Sequence, residues 1–580
     1  MNGTTISQPR WPIRLDARPF LIAISGVVVL ILTALLLGVI LMSFRAPPAG
    51  GGHYTLNGYR DVFQDPFTYK VFLNTALFSI MTVAVALFVA VPLAWVVERT
   101  DLPGKSLVYV LMSLGVLMPG FLTAMGWTFI AHPRIGLLNT LLMDLFGFER
   151  GPINIGTIPG MAFVQGLGLA AVSFILVAPL YRAMDGSLEE AGAVHGMRIV
   201  RRLWSITVPL TLPGIVAASI YILILAMSAF EVPAFLGLAN KIFTFSTYIY
   251  IQANPHEELP RYDMMGATSM LMIFVALLLT WGYFRILKAS HHRYAVVTGR
   301  GYRPKLFELG SRWLWVWCFI GLYFLLAKIL PLLLLVYISL VPYPQPFSLA
   351  SFSEFSLEHY RLFLGSKLAR QAALNTGLLV VVVPTVCVTI SFILSWIVIR
   401  SRVAGSYLFD VAAFLPHAVP SIIFAVAAAY VALFYLKDLL PLYGTIVLLM
   451  AVYTLVYISL ATRGFNGALL QIHRELEEAA QVSGLRTGRV ILSILVPLLA
   501  PAIVNLWLWI ALLSFRELTM ASMLVKSGNV TLPMVVWGYW SGGQMSGAAA
   551  AALVSIALMV PLIILYWLFG RRVQAVSVAP

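Results

Sequence analysis

Charge is what this chain has least of. Asp, Glu, Lys and Arg make up 11% of its 580 residues, where soluble globular proteins carry roughly a quarter. A soluble domain of this length is excluded. Cysteine is almost absent too. Cys318 and Cys387 stand alone in apolar stretches, so neither a disulfide framework nor a thiolate metal site follows. They read as small packing residues. Strict alternation of apolar and polar residues is lacking, which excludes a transmembrane barrel. Catalytic signatures are lacking as well. Gly104-Lys105-Ser106 echoes the end of a phosphate-binding loop, but the glycine required five residues earlier is Arg99. His256-Glu257-Glu258 lacks the second histidine of a zinc-protease helix, and His291-His292 reads as a solvated pair. No nucleophile, base and acid stand together. No catalytic residue, metal site or cofactor is therefore expected.

What is present is apolar sequence, 60% of the chain, with a mean hydropathy of +0.92. Runs long enough to cross a bilayer, about 20 residues each, recur near 20–43, 70–97, 107–131, 159–180, 211–237 and 264–287. A second set lies near 313–341, 371–399, 408–436, 442–462, 498–525 and 546–570. The expected fold class is an all-α polytopic membrane protein of about twelve transmembrane helices. The first run follows Arg10, Arg14 and Arg18 and is too long for a signal peptide, so it reads as an uncleaved span. The net charge of +15 is explained by basic residues in loops that stay cytoplasmic, not by nucleic acid. With the N-terminus inside, most Lys and Arg fall on the cytoplasmic side, including Arg285 to Arg312 between the halves.

The chain also repeats itself. Residues 188–213 read LEEAGAVHGMRIVRRLWSITVPLTLP, and residues 476–501 read LEEAAQVSGLRTGRVILSILVPLLAP. The offset is 288 residues from Leu188 to Leu476, Gly196 to Gly484 and Pro209 to Pro497. Each copy is a polar island predicted to form a short helix, a glycine turn and a helix re-entering the bilayer. Arg198, Arg201 and Arg202 are expected to form a basic face near anionic headgroups. The segments are a tail 1–19, a half 20–288, a linker 289–312, a half 313–572 and a tail 573–580. Six spans per half make the halves parallel repeats about an axis along the membrane normal. Leu73-Asn74-Thr75 and Leu374-Asn375-Thr376 open matching spans.

The two islands resemble the EAA loops of ATP-binding-cassette importer permeases. Glu190-Ala191-Gly192, Gly196 and Pro209 carry the resemblance in the first, and Glu478-Ala479-Ala480, Gly484 and Pro497 in the second. It covers nearly the whole chain, as two fused permease halves, with Gly192 a minor departure. The resemblance implies that each loop inserts into a groove on one of two ATPase subunits. Glu190 and Glu478 would pair there with basic groups, and Gly196 and Gly484 would permit close packing. It further implies a periplasmic binding protein and an inner-membrane location. The fused length, with Thr244 to Tyr250 and Thr531-Leu532-Pro533, looks most like the ferric-iron branch; thiamine and aminophosphonate permeases look similar.

Glu231 and Glu517 follow corresponding spans. Either they are paired carboxylates on the translocation pathway, or Glu517 only pairs with Arg516 or a neighbouring helix end. A rival of another class, an ion-driven secondary transporter, would need intramembrane acids and a glycine-arginine loop after its second span. Residues 98–104 offer no such loop.

Overall fold

The computed structural model describes residues 17–45, 53–255, 260–293, 306–348, 350–401, 403 and 405–578. Most of the N-terminal tail and half of the linker, with the His256-Glu257-Glu258 triplet, lie outside these residues. A chain with so few polar side chains must satisfy its backbone locally in hydrocarbon, and only helices do that span by span. The first half comprises α1 (Ala17–Phe44), α2 (Pro66–Arg99), α3 (Lys105–Leu117), α4 (Gly120–Ala131), α5 (Ile158–Ala183), α6 (Ser187–Val194), α7 (Val208–Met227), α8 (Phe245–Ala253) and α9 (Tyr262–Arg293). The second comprises α10 (Trp313–Phe324), α11 (Leu330–Leu340), α12 (Lys367–Ile399), α13 (Ser406–Ala418), α14 (Ser421–Phe434), α15 (Ile446–Leu470), α16 (Glu475–Val482), α17 (Val496–Phe515), α18 (Leu532–Ser541) and α19 (Met545–Val578). Among the described residues ten helices are long and apolar enough to cross a membrane, or up to twelve if each of two bent pairs is one span.

The expected spans 107–131 and 408–436 are each formed by a bent pair. The pair α3 and α4 turns by 91°, and the pair α13 and α14 by 104°. The breaks fall at Pro119 and Pro420, 301 residues apart. A residue preceding proline is driven out of the helical region. Accordingly Met118 has ψ 124° and Val419 has ψ 131°.

The halves are intertwined. Helix α1 packs against α9 of its own half and against α12, α13 and α14 of the other. Its Leu21 and Ile22 lie on a cluster built from Trp396, Ile397 and Leu469. In return, α10 and the turn leading to α11 lie on the first half. Trp317 Nε1 donates to the Pro103 carbonyl at 3.2 Å, Tyr323 Oη to Leu167 at 3.1 Å, and Trp127 Nε1 to Leu326 at 3.2 Å.

The repeated Asn-Thr pairs acquire a reason. Asn74 Nδ2 donates to the Phe243 carbonyl at 3.2 Å, and Thr75 Oγ1 accepts from Phe245 N at 3.0 Å. Asn375 Nδ2 donates to Val530 at 2.9 Å, and Thr376 Oγ1 accepts from Leu532 N at 3.0 Å. Each pair clamps the N-terminus of the short helix that follows, α8 or α18, where helix donors lack intrahelical partners. Thr75 and Thr376 are buried. Replacing either with Val strands a buried N–H, which costs about 1–3 kcal/mol. Thr376→Val should lower the detergent-solubilised melting temperature, whereas Thr389→Val, whose exposed hydroxyl bonds only its own helix, should not.

Candidate functional site

The duplicated islands fold alike. Helices α6 and α16 are each eight residues long and end on the same turn. Met197 N donates to the Gly192 carbonyl at 3.0 Å, and Leu485 N to Ala480 at 3.0 Å. Gly196 has φ 75° and Gly484 φ 84°, the left-handed conformation that closes such a turn. A Cβ at either glycine would meet nothing within 4 Å. Within this chain the glycines serve conformation, and the face they present is open. Beyond each turn a π-type turn, Leu203–Thr207 or Ile491–Leu495, leads into α7 or α17. Pro209 and Pro497 sit in the first turn of those helices, and the widened turn before them accommodates the N–H that proline lacks.

The two glutamates of each island divide their tasks. Successive helical residues point about 100° apart, so one faces in and one out. The inward ones are Glu189 and Glu477, 3% and 7% exposed, not Glu190 and Glu478. Glu189 pairs with Arg99 at the end of α2 and accepts from Thr207 Oγ1. Arg99 also donates to the Met184 carbonyl at 3.4 Å. In the second half Arg400 Nε lies 3.0 Å from Glu477 Oε1. Arg400 Nη2 donates to the Leu469 and Ile472 carbonyls at 2.7 and 2.6 Å. One arginine in each half thus joins the end of a long span, the end of the span that runs into the island, and the island helix. The sequence reading missed these four residues. The signal was available, since Trp95, Arg99 and Gly104 recur as Trp396, Arg400 and Gly405, each 301 residues later.

Outward lie Glu478, which is exposed, and Glu190, which is half-buried. Ala191 and Ala479 are exposed beside them, while Gly192 and Ala480 pack inward. Val194 and Val482 close the helices at 86% and 89% exposure, and Leu188 and Leu476 are each 48% exposed. On both islands, matched apolar residues thus stand exposed beside a carboxylate. Arg202 departs from expectation. It lies over the Phe307 ring at 4.7 Å and donates to the Glu189 carbonyl at 3.3 Å, so it packs against protein.

Between the halves lies a cavity of about 360 Å³ that brings Glu231 and Glu517 to one wall system with Lys328 and Arg516. Glu231 Oε2 accepts from Phe121 N at 2.9 Å and so caps α4 at its break. Arg516, from the other half, donates to the Val116 carbonyl at 2.7 Å and takes up the end of α3. Glu517 accepts from Tyr457 Oη and Met520 N, each at 2.9 Å. Arg516 therefore turns to the opposite half, and Glu517 is held by a tyrosine and a helix end. Lys328 was missed, although a lone lysine in an apolar run is itself a signal. At the end of the bundle away from the islands a cavity of about 1210 Å³ opens, lined by His132, Arg134, Asn154, Asn240, Lys241 and Trp540 among others. Burial, aided by Arg134, lowers the His132 imidazole from its ordinary value.

Residues 387–575 match the family of binding-protein-dependent transport system inner membrane components. A Fe(3+)-transport system permease of Haemophilus influenzae is 22% identical over 493 residues, covering 85% of this chain and 88% of that protein. A ferric transport system permease of Actinobacillus pleuropneumoniae is 22% identical, covering 82% and 67%. A putative 2-aminoethylphosphonate permease of Salmonella typhi is 26% identical over 215 residues, covering 36% and 72%. With the helical fold and the duplicated islands, the chain resembles the multi-pass inner-membrane permease subunits of binding-protein-dependent transport systems. Among such permeases the chain resembles those of ferric transport systems.

Two substitutions separate the inner from the outer carboxylate. Arg400→Ala leaves Glu477 charged and unpaired, a loss of about 3–5 kcal/mol, and should lower the melting temperature clearly. Glu478→Ala should leave it unchanged. Gly484→Val should also destabilise, because a left-handed conformation costs a non-glycine residue about 1–2 kcal/mol. Gly484→Asn, which tolerates that conformation, should fall between Val and wild type in the same melt.

Proposed function

We propose that the chain is the complete membrane pore of a ferric-iron importer, driven by two copies of a separate ATPase and fed by a periplasmic binding protein. The observation that carries this reading is the matched pair of island helices. Each is locked by a buried arginine to two membrane helices and bare on its outer face. A push on either helix is transmitted to the spans through Arg99 or Arg400. Closure of the ATPase pair would move both islands together and switch the intertwined halves between outward and inward access. In this reading the islands, both termini and the linker face the cytoplasm.

Glu190 and Glu478 meet the ATPase with Ala191, Ala479, Val194 and Val482. Glu231 and Glu517 line the path. Their carboxylates, drawn from both halves at one cavity, offer hard oxygen donors to a hard cation. The outer cavity favours a second substrate reading. Arg134 and Lys241 line it and would attract an anion, such as an aminophosphonate or an anion-bound metal.

The coupling assignment is tested by Glu190→Ala with Glu478→Ala. The double variant should insert normally but lose ATPase retention or couple hydrolysis poorly to transport. Normal retention and transport would refute it. The pathway assignment is tested by iron uptake into proteoliposomes holding the whole importer. Glu231→Gln with Glu517→Gln should reduce iron uptake at least about tenfold, the effect of 1.4 kcal/mol. Uptake of an aminophosphonate with none of iron would select the second substrate. A cysteine at position 300 should react with an impermeant thiol reagent only from the cytoplasmic side; labelling from outside would reverse the topology.

A further inference from the structure

Among the described residues, four charged side chains line the central cavity, and three of them also serve the frame. Glu231 caps α4, Arg516 takes up the end of α3, and Glu517 is held by Tyr457 and Met520 N. Lys328 is the fourth. Among the described residues no hydrogen bond or ion pair engages its ammonium. It stands inside the span Gly310–Leu340, in the π-type turn Leu325–Ile329 between α10 and α11. A lysine at membrane depth is costly and marks a cavity or a partner. Turns of this kind often accompany functional sites.

The two cations converge on one helix end. A Cβ placed on Gly115 would lie 3.8 Å from Lys328 Cε, so the lysine stem runs along the last turn of α3. Arg516 Nη1 donates to the Val116 and Met118 carbonyls at 2.7 and 3.4 Å. Both bonds use Nη1, and a guanidinium has further donors on its other edge. Like charges at one place raise each other's cost. Among the described residues neither cation forms an ion pair with Glu231 or Glu517, whose oxygens meet Phe121 N, Tyr457 and Met520 N.

The need to cap a broken helix does not explain both cations. The acids recur at an offset of 286 residues, but the residue that matches Arg516 is Phe230. Helix α1 is the first span of its half, as α10 and α11 are of theirs, and it has no charged residue from Pro19 to Phe44. At the second break Val419 N donates to the Leu415 carbonyl. Among the described residues no lysine or arginine donates to the end of α13. The duplication carries the acids twice and the cations once.

We propose that Lys328 and Arg516 form an anion subsite in the central cavity, which takes a small oxyanion of the phosphate or carbonate kind. Thr123, Ser228 and Ser421 line the same space, and their hydroxyls can donate to the remaining oxygens. The lining comes from α3, α4, α5 and α7 and from Ser421 on α14, so a free ion fits it better than a lipid headgroup. The role of the subsite rests on the pathway reading of this cavity. In that role the oxyanion is a ligand of the metal in transit, met by the cations while Glu231 and Glu517 face the metal. A trivalent cation that crosses with such a ligand carries less charge into the membrane.

The test uses the full chain purified in a maltoside detergent, with Arg134→Gln and Lys241→Gln to remove the cations of the outer cavity. Equilibrium dialysis against radiolabelled inorganic phosphate, at an ionic strength fixed with chloride, should show saturable binding. Lys328→Met should weaken it at least about tenfold, and Lys328→Arg should restore it to within about threefold. Absence of saturable binding, or equal binding by the Met variant, would overturn the proposal. Displacement of the phosphate by an anionic phospholipid would overturn it too, by assigning the site to a headgroup. A second measurement keeps Lys328 in place. With Cys318 and Cys387 replaced, phosphate should slow the reaction of Ser421→Cys with a small thiol reagent several-fold; unchanged reactivity counts against the subsite. Iron uptake by the whole importer in proteoliposomes then separates the site from the pathway. Loss of both phosphate binding and uptake in Lys328→Met supports the two together. Loss of binding with unchanged uptake would keep the anion subsite and refute the pathway reading.

Discussion

The cost of burying a charge organises this molecule. An unpaired ion away from water is expensive, and a paired one holds only when its remaining hydrogen bonds are met. The chain uses that cost at the two places where helices must be held together without much polar sequence. At the island end, Arg99 and Arg400 each meet one carboxylate and at least one helix-terminal carbonyl. Three elements then move as one, because separating any of them strands the arginine. The island helix is too short to be stable alone. Its position comes from this pair and from the glycine turn that follows.

The same constraint shapes the middle of the bundle. Each proline break frees backbone groups where little water is present. At the first break Glu231 takes a freed N–H of α4, and Arg516 takes a carbonyl of α3 from across the interface. The bend is thus maintained by both halves. The central cavity is formed where those caps converge. The residues that satisfy the broken helix there also line the space that the break creates.

Intertwining follows from the same economy of polar contacts. In lipid, apolar surfaces gain little from association, and packing shape with a few hydrogen bonds decides it. Trp127, Trp317 and Tyr323 supply such bonds between the halves. The Asn-Thr clamps supply them within each half, at equivalent positions and with equivalent geometry.

By itself the sequence determined the helical membrane fold, the approximate spans and the duplication. Those properties depend on local composition and spacing: bilayer thickness sets run length, and a repeated motif is visible without contacts. It also marked Glu231 and Glu517, because charge in apolar surroundings stands out. Only the tertiary structure decided which glutamate faces inward, that Arg99 and Arg400 hold it, and that Lys328 and Arg516 share a cavity with the two acids. It alone showed that each half's first helix lies on the other half. Partners in an ion pair such as Arg99 and Glu189 are 90 residues apart, and no local pattern links them. The crossing of the halves is a matter of packing between distant helices, which periodicity along one helix does not encode.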